Sequence, residues 1–463
     1  MRRWHAGYAV LTLLLIVSAC GSSSDSGKAG SPTVTETAPA PAPTASPAPS
    51  SPSTDWPTYH HDNARTGVAP GFAKVTKLSL AWKAPLDGAV YGQPLVIGDL
   101  LLAATEHDTV YGLDAATGKV RWSTHVGTPV RRSKLPCGNI DPLGITSTMV
   151  YDPATHLVFA LAETTGGQHT LYGLDISTGA VKLRRVAEPP KGDRLAHQQR
   201  SALNLLNGKV YISYGGLAGD CAQYIGSVVS VPTTGTGPIA SYAVPTTREA
   251  GLWTPGGATL YQGKLLYSVG NGESAGGTYD GSDSVIALDP DLKLVDRYSP
   301  TTWAEDNAAD LDLGSMSPAL VGNHVYIAGK RGVGYVLDAD KLGNIGGQLS
   351  QANVCRGFGG ASVDGDTVYV PCTDGPRAVK VGADGSQQVL WHAATAAPGA
   401  PVVGGGVWTV DYDGGVLFVL DQATGNVAAR VSIGKAPHFA SPTLAGGRGY
   451  VGTLAGITAV TAG

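Results

Sequence analysis

Four of the five cysteines, with Cys20 near the N-terminus set aside, pose the first chemical choice in this chain: Cys137, Cys221, Cys355 and Cys372. Thiols ligate metals, exchange electrons or pair as disulfides. None of the four sits in a CxxC, so a zinc clasp or a thioredoxin-type centre has no support. An even number outside the cytosol suits two disulfides, with three possible pairings. Cys355 and Cys372 straddle the tight turn "DGD" at 364–366 almost evenly, which sets them side by side in a hairpin and leaves Cys137 for Cys221. A second cluster is His197, Gln198, Gln199 and Arg200. Its guanidinium could meet an anionic ligand, or carboxylates across the interior could offset it. A third is the pair of acidic, Gly-rich stretches "GNGESAGGTYDGSD" (270–283) and "TTWAEDNAADLDLG" (301–314). These read as a solvated surface or as a hard-oxygen calcium site. No nucleophilic-hydrolase or phosphate-loop signature is present; "GYVGTLAGIT" is a strand pair.

Disulfides require export, and the N-terminus supplies the signal. Arg2 and Arg3 precede "AVLTLLLIV" (9–17), an apolar core too short to span a bilayer as a mature helix. "VSAC" follows, ending at Cys20. It resembles the lipobox of bacterial lipoproteins, which implies cleavage and acylation at Cys20. Acyl chains add about 0.8 kcal/mol per buried CH₂, enough in combination to hold a protein on a membrane surface. The expected location is therefore the extracytoplasmic face of the bacterial cell membrane. Residues 21–54 are Ser, Pro, Ala, Thr and Gly with almost no large apolar side chain, and read as a disordered tether. The expected division is a signal peptide at 1–20, the tether at 21–54 and a folded domain at 55–463. The net charge of −4 leaves no basic footprint, so nucleic acid is excluded as a partner.

The folded part must position these residues on a scaffold of many short strands. Gly reaches 64 of 463 residues while charged residues are 15% and aromatics 7%, which suits an all-β protein with tight turns. "VYGLDAATGKVRW" at 110–122 returns as "LYGLDISTGAVKL" at 171–183, "VIALDPDLKLVDR" at 285–297 and "LFVLDQATGNVAA" at 417–429. Counting the first turn of each unit, from "IGD" (97–99) to "AGG" (445–447), gives eight units. Their spacing of roughly 40–55 residues and four runs each read as propeller blades. In the Asp-x-x-Thr-Gly turn, Asp114, Asp175 and Asp421 accept backbone N–H groups, and Gly118, Gly179 and Gly425 take the positive φ. The eighth unit has only three runs. "LSLAWKAPL" at 78–86 supplies the fourth and removes an open edge. The expected fold is an eight-bladed β-propeller of four-stranded antiparallel blades, the last closed by an N-terminal strand. Turns on one face are tight; those on the other are long and carry all four cysteines. Long loops on a rigid scaffold are where binding sits, so the loop-rich face and its central funnel are the expected functional surface.

"LDAATGKVRW" and the lead-in "WPTYHHDNARTG" (56–67) resemble the PQQ-repeat, quinoprotein-type propellers over nearly all of the chain after Asp55. That family holds dehydrogenases dependent on pyrroloquinoline quinone (PQQ), and also non-enzymatic envelope propellers. For the enzymes the resemblance implies Asn271 and Asp306 as calcium ligands, and Asp306 or Asp310 as the base. It implies Lys330, in "GKRGVGYVLD", as a quinone contact. Apart from the resemblance, Arg200, where a first strand lines the axis, and Trp253 are further cofactor candidates, since Trp253 and Trp303 could supply one covering ring. The chain departs from the enzymes in lacking their adjacent Cys-Cys pair, the usual Trp-Asp-x-Asp spelling and any CxxCH. The expected function is therefore a lipid-anchored, monomeric binding or scaffold module. It takes an unknown protein or small-molecule ligand on its loop-rich face and needs no cofactor. The alternative is a PQQ- and calcium-dependent dehydrogenase of alcohols or sugars.

Overall fold

The computed structural model describes residues 55–463; the signal segment, Cys20 and the tether lie outside the described residues. The described chain forms eight antiparallel sheets arranged in sequence order, one per expected unit. Blade 1 is typical, with strands Leu95–Ile97, Leu100–Ala104, Thr109–Asp114 and Val120–His125. Second and third strands are largely buried, because each is covered on both faces by neighbouring blades. Leu157–Thr164 in blade 2, "LVFALAET", is buried at all but its last residue. Fourth strands are the more exposed, with Val120–His125 largely exposed on the rim. Two blades exceed four strands. Blade 3 gains the short His197–Gln198, and blade 4 gains Asn344–Ile345 lying parallel to Leu294–Ser299.

Blade 8 is composite. Thr443–Ala445, Arg448–Thr453 and Gly456–Ala462 are completed by Leu78–Pro85, in antiparallel register from Leu78 opposite Ala462 to Pro85 opposite Gly456. Gly463 ties both ends, since its carbonyl accepts from Thr76 and Lys77 N–H at 2.8 Å and its own N–H reaches the Lys77 carbonyl. The closure expected from the incomplete last unit is therefore present.

The repeated turn has two physical reasons. The Asp114 Oδ1 accepts from the Thr117 N–H at 2.9 Å and from its hydroxyl at 2.8 Å, and Asp175 and Asp421 treat Thr178 and Thr424 alike. Arg121 and Thr117 hold the Asp114 carboxyl down at about 2. The glycine that follows has φ near +70° at all three places, and a Cβ there would meet a tryptophan ring at 2.4–2.6 Å. These rings are Trp82 on Gly118, Trp122 on Gly179 and Trp391 on Gly425. Each comes from the outer strand of the preceding blade, and Trp122 and Trp391 donate to carbonyls in the next turn at 2.8 and 2.9 Å. The motif thus latches blade to blade.

The lead-in at 56–67 fills the axis from the tight-turn face. Its backbone bonds to first strands around the ring: Trp56 to Val96, Pro57 to Tyr151, Asn63 to Leu260, Thr66 to Val363 and Gly67 to Val403. Arg65, buried in its middle, donates to the carbonyls of Tyr59, Leu203 and Ala258 and to the Thr58 hydroxyl. His60 is wholly buried between the Ala361 carbonyl and the Ser441 hydroxyl; burial lowers its pKa to about 3, so it is neutral. The backbone of this axle alone joins five blades, a role that residue spacing does not reveal.

Candidate functional site

The opposite end of the axis opens into a funnel on the loop-rich face. A cavity of about 320 Å³ there is lined by Gln198, Arg200, Trp253, Asn271, Asp310, Asp312, Lys330, Phe358 and Phe439, among others. All but Gln198, which lies in the short added strand of blade 3, come from connections between blades or between second and third strands, because those loops converge on the axis. Two disulfides brace this face. Cys137–Cys221 ties the loop after blade 1 to the loop within blade 3, and Cys355–Cys372 spans the entrance of blade 6. That is the expected pairing.

Of the residues singled out in the sequence, the structure brings Arg200, Trp253, Asn271, Asp310 and Lys330 to this one cavity. It leaves Asp306 and Trp303 out. Both lie on the short helix Trp303–Ala309 and are buried. The Asp306 carboxylate accepts from Arg331 and from the Thr302 hydroxyl, and Trp303 packs edge-on against Tyr279. Asp310 caps that helix in the left-handed conformation and turns the chain back to Asp312. Lys330 bridges these two carboxylates at 2.5 and 2.6 Å. Burial pushes the Lys330 pKa down, but Asp312 and Asp310 outweigh it and hold the ammonium above its ordinary value. Burial raises Asp312 to about 6 against the pull of Lys330.

The aromatic residues decide what the funnel can hold. Phe439 sits in the connection between blades 7 and 8 at φ +68°, unusual for a bulky side chain, after a turn in which Ala440 N–H returns to the Pro437 carbonyl. Its ring lies 6.0 Å from Trp253, tilted by 46°, and 5.9 Å from Phe358, stacked at 10°. A flat cofactor sandwiched between two rings needs them about 7 Å apart, twice an ordinary stacking distance. Here Phe439 already occupies the Trp253 contact. A calcium ion fares no better: Asp306 is engaged by Arg331, and the Lys330 ammonium stands where a cation would meet Asp310 and Asp312. Among the described residues no three His, Cys, Asp or Glu side chains converge as a metal centre. The residues present do not fit the quinone and calcium pair as folded.

Phe358, Phe439 and Asp312 were missed in the sequence, where an isolated Phe in a loop carries no periodic signal. A second unforeseen cluster lies beside the funnel, between blades 1 and 2. Glu106, Asp108 and Glu163 are buried, and the loop 127–144 folds over them. Gly144 N–H and Thr146 bind one oxygen of Glu106. The other Glu106 oxygen, both Asp108 oxygens and one Glu163 oxygen have no hydrogen-bond partner. Burial, with Glu106 and Glu163 nearby, pushes Asp108 up to about 9, and burial pushes Glu106 to about 7. His169 lies between Glu163 (3.5 Å) and Glu188 (3.1 Å); burial opposes its charge, but the two carboxylates raise it to about 9.

Residues 42–291 match the family model described as outer membrane protein assembly factor BamB. A polyvinylalcohol dehydrogenase of Sphingopyxis sp. (strain 113P3) is 28% identical over 282 residues, 55% of this chain and 40% of that protein. The chain thus spans well under half the length of that relative. Among solved structures, the quinohemoprotein alcohol dehydrogenase ADHIIG of Pseudomonas putida HK5 superposes with a TM-score of 0.68 at 16% identity, over 89% of this chain and 80% of its own. BamB of Moraxella catarrhalis gives 0.54 at 18% identity, over 83% and 97%. At these identities the superpositions establish the fold.

Proposed function

The chain belongs to the PQQ-repeat propeller family of the outer membrane protein assembly factor BamB, and from that premise we propose that it is a lipid-anchored, extracytoplasmic binding module whose funnel receives a ligand without oxidising it. The observation that carries this reading is the seating of Phe439 on Trp253, which closes the planar slot while leaving a cavity of about 320 Å³ beside it. The two braced loops favour a rigid receptor, since preorganised walls lower the ordering cost of binding. The rival reading is a quinoprotein dehydrogenase. Two things favour it: the meeting of Arg200, Trp253, Asn271, Asp310 and Lys330 in one cavity, and the names of relatives such as the polyvinylalcohol dehydrogenase.

The binding reading is tested by thermal shift with a panel of small cationic, neutral and anionic organic molecules. At least one class is expected to raise the melting temperature of the parent and not that of Trp253→Ala. A panel without a Trp253-dependent shift contradicts the proposal. The anchor is tested at Cys20. Parent protein expressed with its leader is expected to enter the detergent phase, and Cys20→Ser to remain aqueous. Equal partitioning of the two removes the lipid from the account.

A further inference from the structure

The walls of the funnel are electrically unequal. On one side the Lys330 charge is matched by two carboxylates. On the other, Arg200 has no carboxylate within ion-pair distance among the described residues. Its one hydrogen bond to protein runs from Nη2 to the His438 carbonyl at 2.9 Å. The guanidinium carbon lies 4.8 Å from the Phe439 ring centre and 5.4 Å from that of Tyr91, so two π-faces orient it. Arg200 is half-buried and lines the cavity. A guanidinium removed from water without a counter-ion is costly, and its planar fork pairs best with a carboxylate.

We infer that Arg200 anchors the carboxylate of a small organic monoanion whose flat, apolar body lies against the Trp253, Phe358 and Phe439 rings. This rests on the reading of the funnel as a ligand site and names the class of ligand. The charge is single because the lining also carries Asp220, Asp310 and Asp312, which outnumber Lys330 there, and a second anionic group beside them is repelled. A carboxylate fits better than a phosphate. One fork matches two coplanar oxygens, whereas a phosphate's third oxygen would face the aromatic wall.

The experiment is calorimetric titration of the full chain with benzoate, its neutral isostere benzamide, benzylamine and inorganic phosphate. Benzoate is expected to bind one to one, and the other three at least about 10-fold more weakly. Arg200→Gln is expected to weaken benzoate by roughly 30-fold, the worth of a charge-assisted hydrogen-bonded pair. Arg200→Lys keeps the charge without the fork and is expected to fall between, which guards against a glutamine variant that merely misfolds. No benzoate binding, benzamide binding as tightly, phosphate binding in preference, or affinity unchanged in Arg200→Gln each overturns the inference. A neutral or cationic ligand lost in Trp253→Ala but unaffected by Arg200→Gln also overturns it, while leaving the funnel as a binding site.

Discussion

A chain shortened through Pro85 is expected to show no cooperative melting transition, whereas deletion of 21–54 alone leaves the transition within about 2 °C of the parent. The short deletion removes none of the described residues. The long one removes the axle and the closing strand together. Loss of Leu78–Pro85 strips a seven-pair ladder from Gly456–Ala462 and takes Trp82 off Gly118. At about 1 kcal/mol per backbone bond, with the exposed apolar edge added, the cost is on the order of 5 kcal/mol or more, comparable to the whole stability of an ordinary domain. Loss of the axle adds to it by unpairing the carbonyls of Leu203 and Ala258 from Arg65. Differential scanning calorimetry separates the outcomes. A long-deletion protein that melts like the parent would show that the ring neither needs this strand nor its axle.

Asp108→Asn is expected to stabilise the protein at pH 8 by about 2–3 kcal/mol and to leave it nearly unchanged at pH 5. Asp108 is wholly buried with both oxygens unpartnered, facing Glu106, Glu163 and Asp87. Its folded pKa near 9, and that of Glu106 near 7, lie above the unfolded carboxyl value of about 4. The folded chain therefore holds protons that the unfolded chain releases. Stability from these groups is greatest in acid and declines as pH rises from about 4 to about 9. His169 acts in the same sense. Raised to about 9, it contributes stability below its unfolded value that is lost as pH rises through the folded one. The asparagine variant removes the largest of these terms, so its stability profile between pH 5 and pH 9 should be flatter. Denaturant unfolding across that range checks it, and an equal or steeper decline in the variant would refute the assignment.

The fold was legible because its signals are local and repeated. Asp114, Thr117 and Gly118 form a turn whose chemistry lies within five residues, and its recurrence counts the blades. The missing fourth strand of the last blade pointed to 78–86 because an open edge has to be covered. Cys355 and Cys372 could be paired because a hairpin fixes which residues face each other. The axle was not legible, since Trp56, His60 and Arg65 find partners as much as 381 residues away, as His60 does in Ser441. The site was legible in part. Arg200, Trp253, Asn271, Asp310 and Lys330 do meet, but which carboxylate faces the lysine depends on how the helix Trp303–Ala309 ends. Its left-handed cap aims Asp312 inward with Asp310, and Asp306 outward to Arg331. Glu106 and Asp108 flank a turn where charges are ordinarily solvated, and only the fold-over of 127–144 buries them.

The central claim is that this funnel is a receptor closed to a planar quinone, and titration of the full chain with PQQ in the presence of Ca²⁺ tests it most directly. Binding is followed by quenching of tryptophan fluorescence and by dye reduction on addition of alcohols or sugars. The account predicts no saturable binding below about 100 µM and no turnover in the parent. It predicts saturable quenching without turnover in Phe439→Gly, where the ring that covers Trp253 is gone and the positive φ suits the new residue. One-to-one micromolar binding to the parent, with calcium-dependent dye reduction that disappears in Asp310→Ala, would contradict the account and establish the dehydrogenase.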